Sequence, residues 1–241
     1  MRRIFITGDC HGNQDIEKLD LKHFPEQKHL TRDDVVIVAG DFGAPWDFLE
    51  SREDRFTLKW HENKSYTTLF VDGNHENFDA LQNYPVIDFR GAKSHQIRPH
   101  VLHVMRGEVI QLSGHRILCM GGAVSVDKQL RQTGVSWWPE EEPNYQEWNY
   151  AVDQLVKQRP DIIITHDAPG SVIQAMQLYE NDDTDAVERG MEQLLQVVKD
   201  EKIPVREWYF GHHHRDIDAC VDNIHYHLVF NRILENVESN L

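Results

Sequence analysis

At 241 residues the chain is long enough for one well-buried α/β unit, and residues 1–241 are read as a single domain. Lys and Arg total 25 against 40 Asp and Glu, a formal charge of -15, so duplex nucleic acid would meet net repulsion and extended nucleic-acid binding is not expected. Cys10, Cys119 and Cys220 lack C-x-x-C spacing and read as free thiols of a reducing compartment. The N-terminal MRRIFITGDCHGN lacks the roughly 7–15 apolar residues of a signal peptide, and no run approaches about 18 apolar residues. A soluble, cytoplasmic protein without a membrane partner is the expectation.

In chain order, the first short β-branched run is Arg3–Thr7, followed by Val35–Ala39. Phe48–Lys64 then spaces apolar residues three or four apart, as on a helix facing a core, and Thr67–Val71 is a third strand-like run. The middle changes rhythm. Val101–Leu112 and His115–Met120, separated by Ser113 and Gly114, predict an antiparallel hairpin. A helical pattern over Tyr145–Arg159 precedes a strand at Asp161–Thr165, and another over Thr184–Lys199 precedes Arg206–Phe210. A second pair, Ala219–Asp222 and Ile224–Phe230, follows. Alternating strands and helices give the α/β class, and two groups of strands point to two packed mixed sheets with helices outside.

In open α/β sheets, binding residues gather in loops at the carboxyl ends of strands. Here five runs end in polar clusters: GDCHGN with Asp9 and His11, GD with Asp41, GNHE with Asn74 and His75, THD with His166, and GHHH with His212, His213 and His214. Each alone is explained as well by a turn, a helix cap or a satisfied core histidine. Together they offer carboxylate, imidazole and amide donors without thiolate, a set suited to Mn, Fe, Co, Ni or Zn. Side chains alternate along extended backbone, so Cys10 is expected to point away from Asp9 and His11. If GHHH is extended, His212 and His214 share one side and His213 is left as a rim or outward-facing group.

The ordered blocks DxHGN (Asp9 to Asn13), GD (Gly40, Asp41), GNHE (Gly73 to Glu76), a strand-end His166 and GHxH (Gly211 to His214) resemble the calcineurin-like metallophosphoesterases of bacterial and phage type. The resemblance implies a four-layer αββα sandwich carrying two divalent ions, manganese first, with iron, zinc, cobalt or nickel as alternatives. It assigns Asp9, His11 and His214 to one ion, Asn74, His166 and His212 to the other, and Asp41 as the bridge. Two cations about 3.5–4 Å apart lower the pKa of a shared water and clamp phosphoryl oxygens. His75 matches the catalytic histidine that gives a proton to the leaving oxygen. The implied activity is hydrolysis of a small phosphate monoester or diester. A nucleotide phosphodiesterase or dinucleoside polyphosphate hydrolase is the alternative within the same chemistry. A non-catalytic binding scaffold is the alternative outside it, although retention of His75 argues for turnover.

Two departures stand out. Where protein phosphatases of the superfamily carry GDxxDRG, this chain reads GDFGAP, so Ala44 and Pro45 replace the acid and the arginine. The group that orients His75 is therefore open, with Glu76 and Asp72 as substitutes. The segment Gly121 to Trp148 is rich in tryptophan and contains Arg131. It reads either as a substrate lid, with Arg131 meeting phosphate and a tryptophan stacking on a flat group, or as a packed crossover whose tryptophans cover a sheet. Asn13 reads equally as a substrate contact or a helix N-cap.

Overall fold

The computed structural model describes residues 2–178 and 184–236. The strands are β1 (Ile4–Thr7), β2 (Val35–Ala39), β3 (Thr67–Val71), β4 (Val86–Phe89), β5 (Ala92–Arg98), β6 (Val101–Val104), β7 (Val109–Leu112), β8 (His115–Met120), β9 (Ile162–Thr165), β10 (Glu207–Phe210), β11 (Ile217–Val221), β12 (Ile224–Leu228) and β13 (Leu234–Glu235). The helices are α1 (Arg52–Glu62), α2 (Phe78–Leu81), α3 (Tyr145–Gln158), α4 (Gly170–Ala175) and α5 (Ala186–Asp200).

Seven strands form one sheet in the order β13-β1-β2-β3-β6-β5-β4, and six form the other in the order β11-β12-β10-β9-β8-β7. The centre of each sheet is parallel and its edges are antiparallel. Side-chain alternation builds the layers. Ile4, Ile6, Val35 and Ile37 meet Ile117, Ile162 and Ile164 between the sheets. The intervening Phe5, Val36 and Val38 face outward and are covered by Leu19, Phe24 and Leu58. On the other outer face α3, α4 and α5 bury Leu155, Ile173, Leu194 and Leu195 over Trp208 and Tyr226. The expected layered sandwich of two mixed sheets flanked by helices is therefore the fold.

Four expectations change in detail. The helix read over Phe48–Lys64 starts only at Arg52, because Ser51 and Asp54 form a reciprocal capping box there. Likewise α5 starts at Ala186, after the capping box of Asp185 and Glu188. Only the second half of Val101–Leu112 is the expected hairpin arm: β7 pairs antiparallel with β8 in the six-stranded sheet, whereas β6 lies in the seven-stranded one. The chain crosses between them at Gly107, whose φ of +77° is left-handed and whose missing side chain admits Tyr150 and Ala151. Sequence reading also passed over β4 and β5. The β5 stretch AKSHQIR is too polar to show a strand period, although Ala92, Ser94, His95 and Ile97 are buried in it.

Candidate active site

The ends of β1, β2, β3, β9 and β10 converge where the two sheets are adjacent, and the loops that follow carry the polar clusters. Two glycines permit the approach. A Cβ on Gly40 would lie 2.0 Å from Nδ1 of His166, and one on Gly73 would lie 2.1 Å from Oδ1 of Asp41. Each glycine just before a functional residue thus leaves room for a functional side chain from another strand.

Asp41 is the centre of the arrangement. Its Oδ2 lies 3.2 Å from Nε2 of His11 and its Oδ1 lies 3.3 Å from Nε2 of His166, while Oδ1 also accepts the His75 amide at 2.7 Å. On one side, donor atoms of Asp9, His11, Asp41 and His214 all lie within 4.8 Å of one another. On the other, Nε2 of His166 is 3.2 Å from Oδ1 of Asn74, and the His212 ring is centred 5.1 Å from that of His166. The fold brings together all seven residues that the sequence singled out as ligands.

The arrangement fits cations. Asp9 is fully buried, and its Oδ2 accepts no hydrogen bond although Nε2 of His214 lies 3.2 Å away. A buried carboxylate oxygen left without a donor is costly, and a cation satisfies it. His166 donates Nδ1–H to the Ala39 carbonyl at 2.8 Å, which turns Nε2 toward Oδ1 of Asp41 and Oδ1 of Asn74. Nδ1 of His11 is likewise held by Asp15 at 2.7 Å. Asn74 donates Nδ2–H to Ser125 at 3.0 Å, which turns its Oδ1 inward, and Ser125 in turn donates to Glu141. Lys18 clamps the backbone by donating to the carbonyls of Asp9 and Phe230.

The electrostatics show how strongly this cluster wants positive charge. Burial alone would lower the proton affinity of His166, but Asp41 and Asp9 outweigh it and hold the ring up at about 10. Burial would raise Asp41, yet the surrounding histidines keep its carboxyl well below the usual range. His212 is pushed down to about 4, by burial first. Burial first, with Arg131 and His11 adding to it, also keeps His75 below the ordinary imidazole value.

His75 is oriented by neither substitute considered from sequence. Asp72 is taken up by Arg106 at 2.6 Å and His103 at 3.1 Å, and Glu76 by the amides of Phe42 and Gly43. What faces His75 is Arg131. Its Nη1 and Nη2 lie 3.3 and 3.1 Å from Nδ1 and Nε2 of the ring, an approach at both ring nitrogens that places guanidinium against imidazole. Asp127 holds Arg131 through Nε at 2.8 Å. The tryptophans of the same segment do the packing: Trp138 is buried, donates to Asp79 and meets Trp46 edge-on at 5.6 Å, while Trp148 lies over Gly190 of α5. The tryptophans of residues 121–148 thus pack as in the crossover reading, and Arg131 lies against His75.

Three smaller expectations resolve. Cys10 is fully buried in the outer core, turned away from the site as expected. GHHH is not extended: His212 and His214 have φ of 67° and 49°, and His213, instead of facing outward, has a side chain only 5% exposed and 3.2 Å from Oδ1 of Asp167. Asn13 caps no helix, since the helical turn after it is preceded by Asp15, and its exposed side chain lines a cavity beside His11 and His75. Sequence reasoning missed Asp15, Ser125, Glu141 and Asp127. Of these only the helical spacing of His11 with Asp15 and of Asp127 with Arg131, four residues each, was a readable signal.

Among the described residues no helix is long and apolar enough to cross a membrane, and all three cysteines are free. A search of curated proteins finds no match. Among solved structures the fold is similar to that of GAP50, the anchor in the inner membrane complex of Plasmodium, at 13% identity over 95% of this chain and 71% of that one, with a TM-score of 0.53. It is also similar to a putative 5'-nucleotidase from Staphylococcus aureus, at 14% identity and a TM-score of 0.51, covering 97% of this chain but only 50% of that one. At such identities the likeness establishes the fold. The sequence itself matches the family described as calcineurin-like phosphoesterase over residues 2–216. With donors for metal ions gathered on that fold, the chain belongs to the calcineurin-like phosphoesterases, metal-dependent hydrolases of phosphate esters.

Proposed function

We propose that this protein hydrolyses small phosphate monoesters or diesters using two divalent cations, one held by Asp9, His11 and His214, the other by Asn74, His166 and His212, with Asp41 shared between them. The observation that carries the reading is Asp41, whose two carboxylate oxygens face a different imidazole each, at 3.2 and 3.3 Å. Manganese suits this mixture of carboxylate, imidazole and amide donors, and we propose it as the resident ion. Bound there, divalent cations supply the positive charge that makes water nucleophilic at neutral pH and offsets the charge of the phosphoryl group.

The chain's own residues divide the remaining work. Asp15 and the Ala39 carbonyl fix the rings of His11 and His166, so the cluster is organised before substrate arrives. His75, anchored at its backbone by Asp41, presents its ring to the same opening and is proposed to give a proton to the departing oxygen. Arg131 is proposed to grip a phosphate oxygen, supplying from the 121–148 segment the guanidinium that GDFGAP lacks. Asn13, at the lip of the adjoining cavity, is the second proposed substrate contact. With free thiols and an acidic surface, a cytoplasmic setting and a small substrate in place of a nucleic-acid duplex complete the reading.

The test is hydrolysis of a chromogenic phosphomonoester and a phosphodiester by protein loaded with Mn²⁺. Turnover of at least one, abolished by a chelator and restored by added metal, is the expected result. Inertness toward both, with or without metal, would refute the proposal.

A further inference from the structure

Beside His11 and His75 the surface opens into a cavity of about 400 Å³ whose far wall is built by the 43–54 loop and α1. It is large enough to seat a small organic group. Its chemistry is lopsided. Asp47 and Glu53 stand exposed at its rim and Trp46 lines it, and no Lys or Arg is among its lining residues. Asp54 contributes charge without a vacant acceptor, because its oxygens take the amides of Trp46, Asp47 and Ser51. The guanidinium of Arg55, one residue further along α1, is turned to the Glu50 carbonyl. Thr57 also lines the cavity. It is 1% exposed, and its Oγ1 has no hydrogen-bond partner. That hydroxyl is enclosed, so what the cavity offers a bound group is the exposed Asp47 and Glu53 and the half-buried Trp46.

Resting on the phosphoesterase reading above, we infer that this cavity holds the leaving group and selects phosphate esters of a cationic alcohol, with an ammonium group against the face of Trp46 and between Asp47 and Glu53. The position follows from His75, which both lines the cavity and is the proposed proton donor to the leaving oxygen. Carboxylates and an aromatic face attract an ammonium ion, and the same carboxylates repel a leaving group that carries a further phosphate. Arg131 does not line the cavity, so phosphate and leaving group have wells of opposite character.

The experiment compares phosphocholine with 3,3-dimethylbutyl phosphate, its uncharged carbon isostere, on the Mn²⁺-loaded enzyme, with p-nitrophenyl phosphate as a third ester. The expected result is a kcat/KM about five- to tenfold higher for phosphocholine, falling toward parity in the Asp47→Asn/Glu53→Gln double variant. Equal values for the two isosteres in the wild type, with p-nitrophenyl phosphate hydrolysed, overturn the subsite and leave the phosphoesterase reading intact. Hydrolysis of none of the three overturns this assignment, and inertness toward bis(p-nitrophenyl) phosphate as well overturns the phosphoesterase reading with it. A measurement independent of turnover is titration of the protein with choline, followed by the indole N–H resonance of Trp46 assigned through Trp46→Phe. A saturable shift lost in the double variant supports the cation site, and no shift overturns it.

Discussion

Two buried aspartates, Asp41 and Asp72, follow neighbouring strands of one sheet and are each about 1% exposed, yet their surroundings differ in kind. Asp72 is saturated by the chain itself. Arg106 reaches its Oδ2 through Nε and Nη2, His103 reaches Oδ1, and Arg106 is tied further to Glu147. Burial would raise its proton affinity, but Arg106 and His103 hold it far below. Asp41, by contrast, has no Lys or Arg among its hydrogen-bonding and ion-pair partners. It is faced by His11 and His166, titratable rings, and its neighbour Asp9 keeps an oxygen that accepts no hydrogen bond, with only the His214 ring beside it. A structural carboxylate brings its own permanent cation, whereas a functional one is left to be completed from outside. Perturbed charge of the second kind is the better marker of chemistry.

This contrast is broken or sharpened by substitution. Asp41→Asn is expected to lower kcat/KM about a thousandfold or more, since loss of the proposed shared ligand removes several kcal/mol of charge stabilisation, while thermal unfolding stays cooperative. If Asp41→Asn kept its activity, the distinction would fail at its root. Arg106→Met is expected to do the reverse. It strands the Asp72 charge in the core, costing about 3–5 kcal/mol in urea unfolding, with turnover at low temperature retained in proportion to the folded fraction. His75→Asn should lower kcat by about 10²–10⁴ with metal content by elemental analysis unchanged. Loss of metal together with activity would make His75 a ligand rather than a proton donor.

The smallest effect concerns a buried histidine outside both networks. His61 is fully buried between Phe42 and Trp60, both its ring nitrogens lack partners, and burial first, then Lys64, pushes it down to about 3. The ring is neutral in the folded state while the unfolded chain takes up a proton below about pH 6.5, so stability falls as pH drops from there toward 3. His61→Leu should gain about 1 kcal/mol at neutral pH, and its advantage should widen at up to about 1.4 kcal/mol per pH unit on acidification. An advantage that does not change with pH would show the ring to be charged or hydrated inside.

Much of the site was legible because its donors come from residue types that are costly to bury and stand directly after apolar runs. Asp9, Asp41 and His166 need only the strand before them to be placed. What fixes them was harder to read. Ser125 and Glu141 orient Asn74 from residues 51 and 67 positions later in the chain, and Arg131 faces His75 from 56 positions away. Serine, glutamate and arginine on irregular loops carry no periodic signal. His213 illustrates the limit of local geometry: alternation placed it outward, but left-handed residues on both sides of it turn the loop and bring it to Asp167.

By itself the sequence determined the strands with a clear apolar period, the class of the fold and the kinds of donors waiting at five strand ends. These properties depend on a residue and its near neighbours, through side-chain alternation and the cost of burying polar groups. Only the tertiary structure decided that β6 and β7 belong to different sheets, that Arg106 neutralises Asp72, and that a loop arginine lies against His75. Those outcomes are settled by which faces are buried together across long stretches of chain, a non-local balance of packing and charge that spacing along the sequence does not encode.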